Sequence, residues 1–278
     1  MPALLPTQII STSIGEIRLS DSGANLPCIV FVPDGPNVLE HYERLIELLS
    51  PNFRVICFDM PGFGFSLPRG SYTHSLNDGA RAVLAVLDHL QIETATLAFS
   101  CANGLYALRA AHMAPARITS LVLSQTPSLA AMQAWTKIIP RPLFVPVLGQ
   151  ICAWFFRRKF ARIWYPRALA NVKDHIVFQQ KTESAFAHGS CFCLAGVVQG
   201  LCREQIDSLN AVSIPCLMIW GSKDRSHKKT DPSSIRLSAP LSEIVIFEDC
   251  GHFPELEQPE RFAALITQHM ANFAQSKS

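Results

Sequence analysis

The apolar positions of the chain group into short unbroken runs separated by stretches with helical spacing. Residues 28–32, 53–58, 119–124 and 243–248, together with runs ending near Phe99 and spanning 216–220, read as strands, and the run at 28–32 has the continuous apolar character of a strand covered on both faces. Residues 9–19 are rich in β-branched side chains around Gly15 and predict an N-terminal hairpin. Helices are expected over residues 39–49 (apolar Leu45, Leu48 and Leu49), 74–90, and 104–113 with Pro115 just beyond. From Gln125 to about Asn210 the pattern changes to irregular helical stretches holding Trp135, Trp154 and Trp164, with no clear strand.

Leu97-Ala98-Phe99-Ser100-Cys101-Ala102-Asn103-Gly104 joins a strand to a helix with almost no connection. Such a junction holds one side chain on a tight corner at a helix N-terminus, where unpaired N–H groups favour negative charge. Two residues compete for the corner. Cys101 keeps the following helix in register, whereas Ser100 is flanked at two positions on either side by the small residues Ala98 and Ala102. A buried cysteine that only packs is the plain alternative.

Three further stretches carry a resemblance. Asp59-Met60-Pro61-Gly62-Phe63-Gly64-Phe65-Ser66, Pro215-Cys216-Leu217-Met218-Ile219-Trp220-Gly221-Ser222-Lys223-Asp224 and Cys250-Gly251-His252-Phe253-Pro254 follow in order, with the corner between the first two. Together they resemble the α/β-hydrolase superfamily, over about residues 28–274. The resemblance implies a mostly parallel sheet with helices on both faces. It also implies a core of residues 1–124 and 211–278, and a helical cap at 125–210. It places the nucleophile at Cys101, the general base at His252 and the orienting carboxylate at Asp224, with the Ala102 N–H as one oxyanion donor. Where the superfamily has His-Gly after its third strand, this chain has Asp34-Gly35, followed by Pro36, which has no N–H to give. Gly35 or Asn37 must then supply the second donor, or the oxyanion hole is incomplete. Asp34 itself is either a turn residue or an extra acid/base. Trp135, Trp154 and Phe253 are candidate substrate-binding residues. His74 and His89 read as surface or capping residues.

Composition narrows the chemistry. Of 278 residues, 49% are hydrophobic and 17% charged, which is enough for one large domain or a domain with an insertion and leaves little room for long disordered tails. A net charge of +2 gives no argument for nucleic acid. Nine cysteines are an odd number and read as free thiols of a cytoplasmic protein. Residues 1–6 lack a basic start and an adequate apolar run, so no signal peptide is expected. No cofactor is implied. His188, Cys191, Cys193 and Cys202 invite a zinc reading, but the paired Cys-x-x-Cys spacing of structural zinc is missing, so no metal is assigned. The apolar residues 144–156 are followed by Arg157, Arg158, Lys159 and Arg162. They read as a packed cap helix with a solvated end, as an acyl channel with a basic mouth for a carrier-protein- or CoA-bound acyl group, or, less favoured, as a membrane-surface helix. The whole predicts an enzyme acting on an apolar acyl ester or thioester through an S-acyl intermediate, by hydrolysis or by acyl transfer or cyclisation. A non-catalytic small-molecule binding protein is the reading of another class.

Overall fold

The computed structural model describes residues 6–188 and 191–275. Its nine strands are β1 (Gln8–Ser11), β2 (Gly15–Asp21), β3 (Cys28–Val32), β4 (Arg54–Phe58), β5 (Leu67–Pro68), β6 (Ala95–Ser100), β7 (Ile118–Ser124), β8 (Cys216–Gly221) and β9 (Ser242–Phe247). They form one sheet in the order β1-β2-β4-β3-β6-β7-β8-β9, with β5 paired to β2. β1 and β2 make the antiparallel hairpin, and β4 through β9 run parallel. This is the α/β-hydrolase architecture expected.

Helices cover both faces because the strand residues alternate between two cores. Leu97 and Phe99 face the side packed by α2 (Leu76–His89) and α3 (Cys101–Met113), whereas Ala98 joins Phe31, Val55 and Cys57 on the other. That second side is covered by α1 (Glu43–Leu49) and contains Phe262 and Ile266, which lie within the span Pro259–Gln275 of the C-terminal helix. α2 begins at Ser75, whose side chain accepts from the Asp78 N–H, so His74 is not the cap. Its ring is half-buried against Phe63 and Tyr72 rather than on the surface, and burial pushes its pKa down to about 4.

Between β7 and β8 the described residues form helices and no strand: α4 (Leu129–Thr136), α5 (Leu148–Ala168), α6 (His175–Ala187) and α7 (Cys191–Arg203), with short 3-10 turns between them. Tyr165 of α5 donates to Asn37 Oδ1 at 3.1 Å, and Thr182 of α6 donates to the Pro36 carbonyl at 3.1 Å. The helices are thereby tied to the loop leaving β3. One expectation fails here. Residues 144–156 neither pack inward throughout nor line a channel, because Leu148, Ile151, Trp154, Phe155 and Phe156 lie on the outside, 41–69% exposed. The side chains of Cys191 and Cys193 lie outside the described residues. Of their proposed zinc partners, His188 packs its ring on Phe65 and Cys202 contacts the Thr136 hydroxyl. The short α8 (Pro254–Glu257) and the longer α9 (Pro259–Gln275) follow β9.

Candidate functional site

Parallel strands deliver their C-terminal loops to one edge of the sheet, and ligands of open α/β sheets bind there. β3 pairs with β6 (Val32 beside Phe99), β7 with β8 (Ser124 beside Ile219), and β8 with β9 (Gly221 beside Phe247). The loops that follow therefore bring Asp34, Cys101, Gln125, Asp224, His227 and His252 together, although they are spread over 219 residues of sequence.

At the β6–α3 junction the backbone turns at Cys101, the first residue of α3, whose φ of +50° is in the left-handed region. A side chain in that region costs about 1–3 kcal/mol, and the surroundings must impose it. Gly104 shows how closely they press: a Cβ there would lie 2.1 Å from Thr126 Oγ1, the hydroxyl that donates to the Cys101 carbonyl at 3.0 Å. Asn103 adds a tie by donating from Nδ2 to the Pro33 carbonyl at 3.0 Å. Ser100, the rival for the corner, is ordinary extended backbone at φ −112°. Its hydroxyl donates to Glu255 Oε1, which also accepts from Tyr42 at 3.1 Å.

His252 is fully buried, and its Nδ1–H donates to Asp224 Oδ2 at 2.6 Å. Asp224 is held in turn by Gln125 Nε2 (2.6 Å) and by the N–H and hydroxyl of Ser226 (2.7 and 2.6 Å). Burial alone would raise Asp224, but the His252 charge and these donors hold it far below the ordinary carboxylate range. For His252, burial alone would favour the neutral ring. Asp224 and Asp34 outweigh it and raise the imidazole well above its usual value.

Asp34 reaches the cluster beside His252 and does not only shape a turn. Its Oδ2 lies 3.4 Å from His252 Nε2, and the Cys101 thiol and the Gly35 N–H also lie against the carboxyl. Burial raises its pKa, with His252 opposing. The Cys101 thiol is pushed up to about 11 by burial and by the Asp34 charge. The helix N-terminus does not offset this, so the resting form of Cys101 is the neutral thiol. Of the expected second oxyanion donors, the Asn37 N–H is engaged, donating to the Asp34 carbonyl at 2.9 Å, the Gly35 N–H adjoins the Asp34 carboxyl, and Pro36 has none. The Ala102 N–H, in the first turn of α3, remains beside Cys101.

The sequence reading missed His227, three residues beyond Asp224. Its Nε2 lies 3.9 Å from Cys101 Sγ and its Nδ1 meets Thr230 Oγ1 at 3.1 Å. The ring stacks between Trp135 (centroids 4.9 Å, 8°) and His252 (5.3 Å, 18°). Burial and the neighbouring His252 charge push it down to about 3, so it is neutral. Trp164 was also missed as a site residue. Its indole stands edge-on to His252 at 5.3 Å and to Trp135 at 6.2 Å, completing an aromatic roof. Trp135 and Phe253 touch this cluster, Phe253 against the His252 ring at 4.8 Å. Trp154 does not join it. Its indole is half exposed on the outside of α5 under the Arg157 guanidinium. Cys101 Sγ and one ring nitrogen each of His227 and His252 lie within 4.8 Å of one another, the one such group among the described residues with donors for a metal ion. Occupying it would engage both the thiol and the imidazole.

The pattern of the alpha/beta hydrolase family matches residues 29–265. The chain is 24% identical to the 3-oxoadipate enol-lactonase 2 of Acinetobacter baylyi over 90% of its own length and 91% of the relative's. It is 27% identical to the pimeloyl-[acyl-carrier protein] methyl ester esterase of Aeromonas hydrophila, covering 81% and 88%. Among solved structures, the enol-lactonase from Burkholderia xenovorans superimposes with a TM-score of 0.76 at 18% identity, over 95% of this chain and 100% of that one. An epoxide hydrolase from an endophytic Streptomyces gives 0.79 at 17%, over 97% and 96%. These last two likenesses concern the fold. The chain belongs to the alpha/beta hydrolase family, and the protein is an enzyme of that family.

Proposed function

We propose that the protein cleaves an ester or thioester of an apolar acyl group through an S-acyl intermediate on Cys101. The observation that carries this reading is the left-handed Cys101 at the start of α3, beside the Asp224–His252 pair. Relatives named as an enol-lactonase and a methyl ester esterase support the bond class.

The protonation pattern suggests the route. The thiol is neutral, His252 is cationic, and Asp34 touches both. As Sγ bonds to the acyl carbon, its proton passes to Asp34. The neutral Asp34 acid then donates to the oxyanion beside the Ala102 N–H, in place of the missing main-chain donor. Collapse breaks the bond to the leaving oxygen or sulfur, which takes the His252 Nε2 proton. Water then attacks the S-acyl carbon and returns a proton to His252. The Cys101 sulfur leaves and recovers its own proton from Asp34. Residues 125–210 act as a cap in this reading, with Trp135 and Trp164 over the acyl group. The burial of Cys101 and His252 under that roof favours a second outcome, transfer of the acyl group to a bound alcohol or amine in place of water.

The test is mass spectrometry of the protein quenched during turnover of a medium-chain acyl thioester. An acyl adduct on Cys101, and loss of turnover in His252→Ala, are expected. Turnover that survives Cys101→Ala but not Ser100→Ala would transfer the role to Ser100. Ligand binding without turnover would leave a binding protein.

A further inference from the structure

The amphipathicity of α5 is inverted. The side toward the protein is built mostly from small residues: Gly149, Ala153, Ala161 and Ala168 are buried with Tyr165, and Phe160 and Trp164 pack there half-buried. In its first half the large apolar side chains point away from the protein. Val147, just before the helix, is 70% exposed, Ile151 56% and Phe155 69%. Ile151, Phe155, Arg158 and Arg162 follow at spacings of four, three and four, so one outward stripe is apolar in its first half and cationic in its second. A contiguous apolar patch of this kind marks an interaction surface.

The charge identifies the partner. No acidic residue occurs between Glu93 and Asp174, while residues 137–173 hold eight lysines and arginines, leaving the rest of the chain net negative by six. Among the described residues, no ion pair engages Arg157, Arg158, Lys159 or Arg162. A second copy meeting the same patch would set these cations against one another. An acidic carrier protein would satisfy the cations but not the protruding Ile151 and Phe155. An anionic lipid surface satisfies both: the apolar side chains enter the acyl boundary while arginine and lysine reach the headgroups. Trp154 with the Arg157 guanidinium 4.9 Å above its ring suits the same interface. No helix among the described residues is long and apolar enough to cross a membrane, so the contact runs along the surface.

We propose that the outward face of α5, with the segment leading into it, docks the protein on anionic membrane surfaces. This inference does not depend on the chemistry at Cys101.

Vesicles of phosphatidylcholine with phosphatidylglycerol, against phosphatidylcholine alone, provide the test by co-sedimentation. The protein should pellet with the mixed vesicles and be released by salt. Brominated acyl chains should quench its fluorescence, and Trp154→Phe should remove that quenching. Arg158→Gln with Arg162→Gln should weaken partitioning about thirtyfold, at roughly fivefold per cation. Ile151→Asp with Phe155→Asp should abolish it. These side chains are exposed, so thermal melts of both variants should match the parent. The proposal is overturned if the parent ignores mixed vesicles, or if it binds them equally well with Phe155→Asp. It is also overturned if sedimentation velocity shows a dimer that Phe155→Asp dissociates without any vesicle binding, or if only an acidic carrier protein is bound.

Discussion

Asp34→Asn separates the route through Asp34 from an ordinary triad. The substitution keeps the shape and a hydrogen-bond donor but removes the charge and the proton acceptor. Asp34 is the carboxyl against both the Cys101 thiol and His252 Nε2, so its loss alters both groups at once. The thiol loses the charge that helps hold it near 11 and becomes easier to ionise. The imidazole loses one of its two carboxylates and becomes easier to deprotonate. The thiol must then pass its proton to neutral His252. Removal of a general base costs about 10²–10⁴ in rate, and the weakened thiol and imidazole return part of it, so a net loss of about 10²-fold in kcat/KM is expected. The amide still donates to the oxyanion. Asp34→Ala loses that donor as well, a further factor of about 10²–10³. The pH profiles carry the decisive sign. In the parent the base form of Asp34 exists above a pKa raised by burial, so activity rises through that value and falls when His252 loses its proton. In Asp34→Asn the active form needs neutral His252, so the rising limb moves to higher pH and the parent's falling limb disappears. The assay is kcat/KM on one thioester from about pH 5 to 10, the range that spans carboxyl and imidazole titration, with melts to confirm folding. An Asp34→Asn protein as fast as the parent, with the same profile, would refute the role given to Asp34.

Cys101→Ser should keep the fold and ligand binding but lose at least about tenfold in kcat on the same thioester, because an alkoxide needs the fuller oxyanion hole that Pro36 denies it. Iodoacetamide at neutral pH should label exposed Cys202 before Cys101, whose thiol is buried and neutral, as peptide mapping over time would show. Zn²⁺ should inhibit, reversibly with a chelator, and His227→Phe, which keeps an aromatic ring against Trp135, should weaken that inhibition at least about tenfold. Gly104→Ala should lower stability by about 1–3 kcal/mol in denaturant melts, because its Cβ would enter Thr126.

The strands were legible because their apolar runs are unbroken, and the order of the site was legible because Asp224 and His252 each sit just past a strand end in a recognisable loop. The corner was narrowed to two residues and no further, since only a backbone angle separates Cys101 from Ser100. Asp34 was ambiguous for a similar reason. A carboxylate after a strand reads as a turn residue until the β3–β6 pairing sets it beside the next loop. His227 gave only its spacing from Asp224, and the stacking that defines it arises between three separate elements. The apolar run before Arg157 misled because periodicity reports that a helix has faces, not which face turns inward. Small residues at 149, 153 and 161 were the signal that this helix packs closely on its weaker side.

The roof over Cys101 also bears on oxidation. Peroxide attacks thiolates, and sulfenic acid forms fastest where a thiolate meets solvent. Cys101 offers neither condition at rest: it is 5% exposed, and its thiol is held near 11. Sulfur nucleophiles are commonly the weak point of their enzymes under oxidative stress. In the proposed route, the same burial that makes the thiol wait for Asp34 to take its proton also shields it between turnovers. Among the described cysteines, oxidants meet Cys202 first, on the surface of α7. A sulfenic acid there would alter the outside of a helix and leave Cys101 reduced.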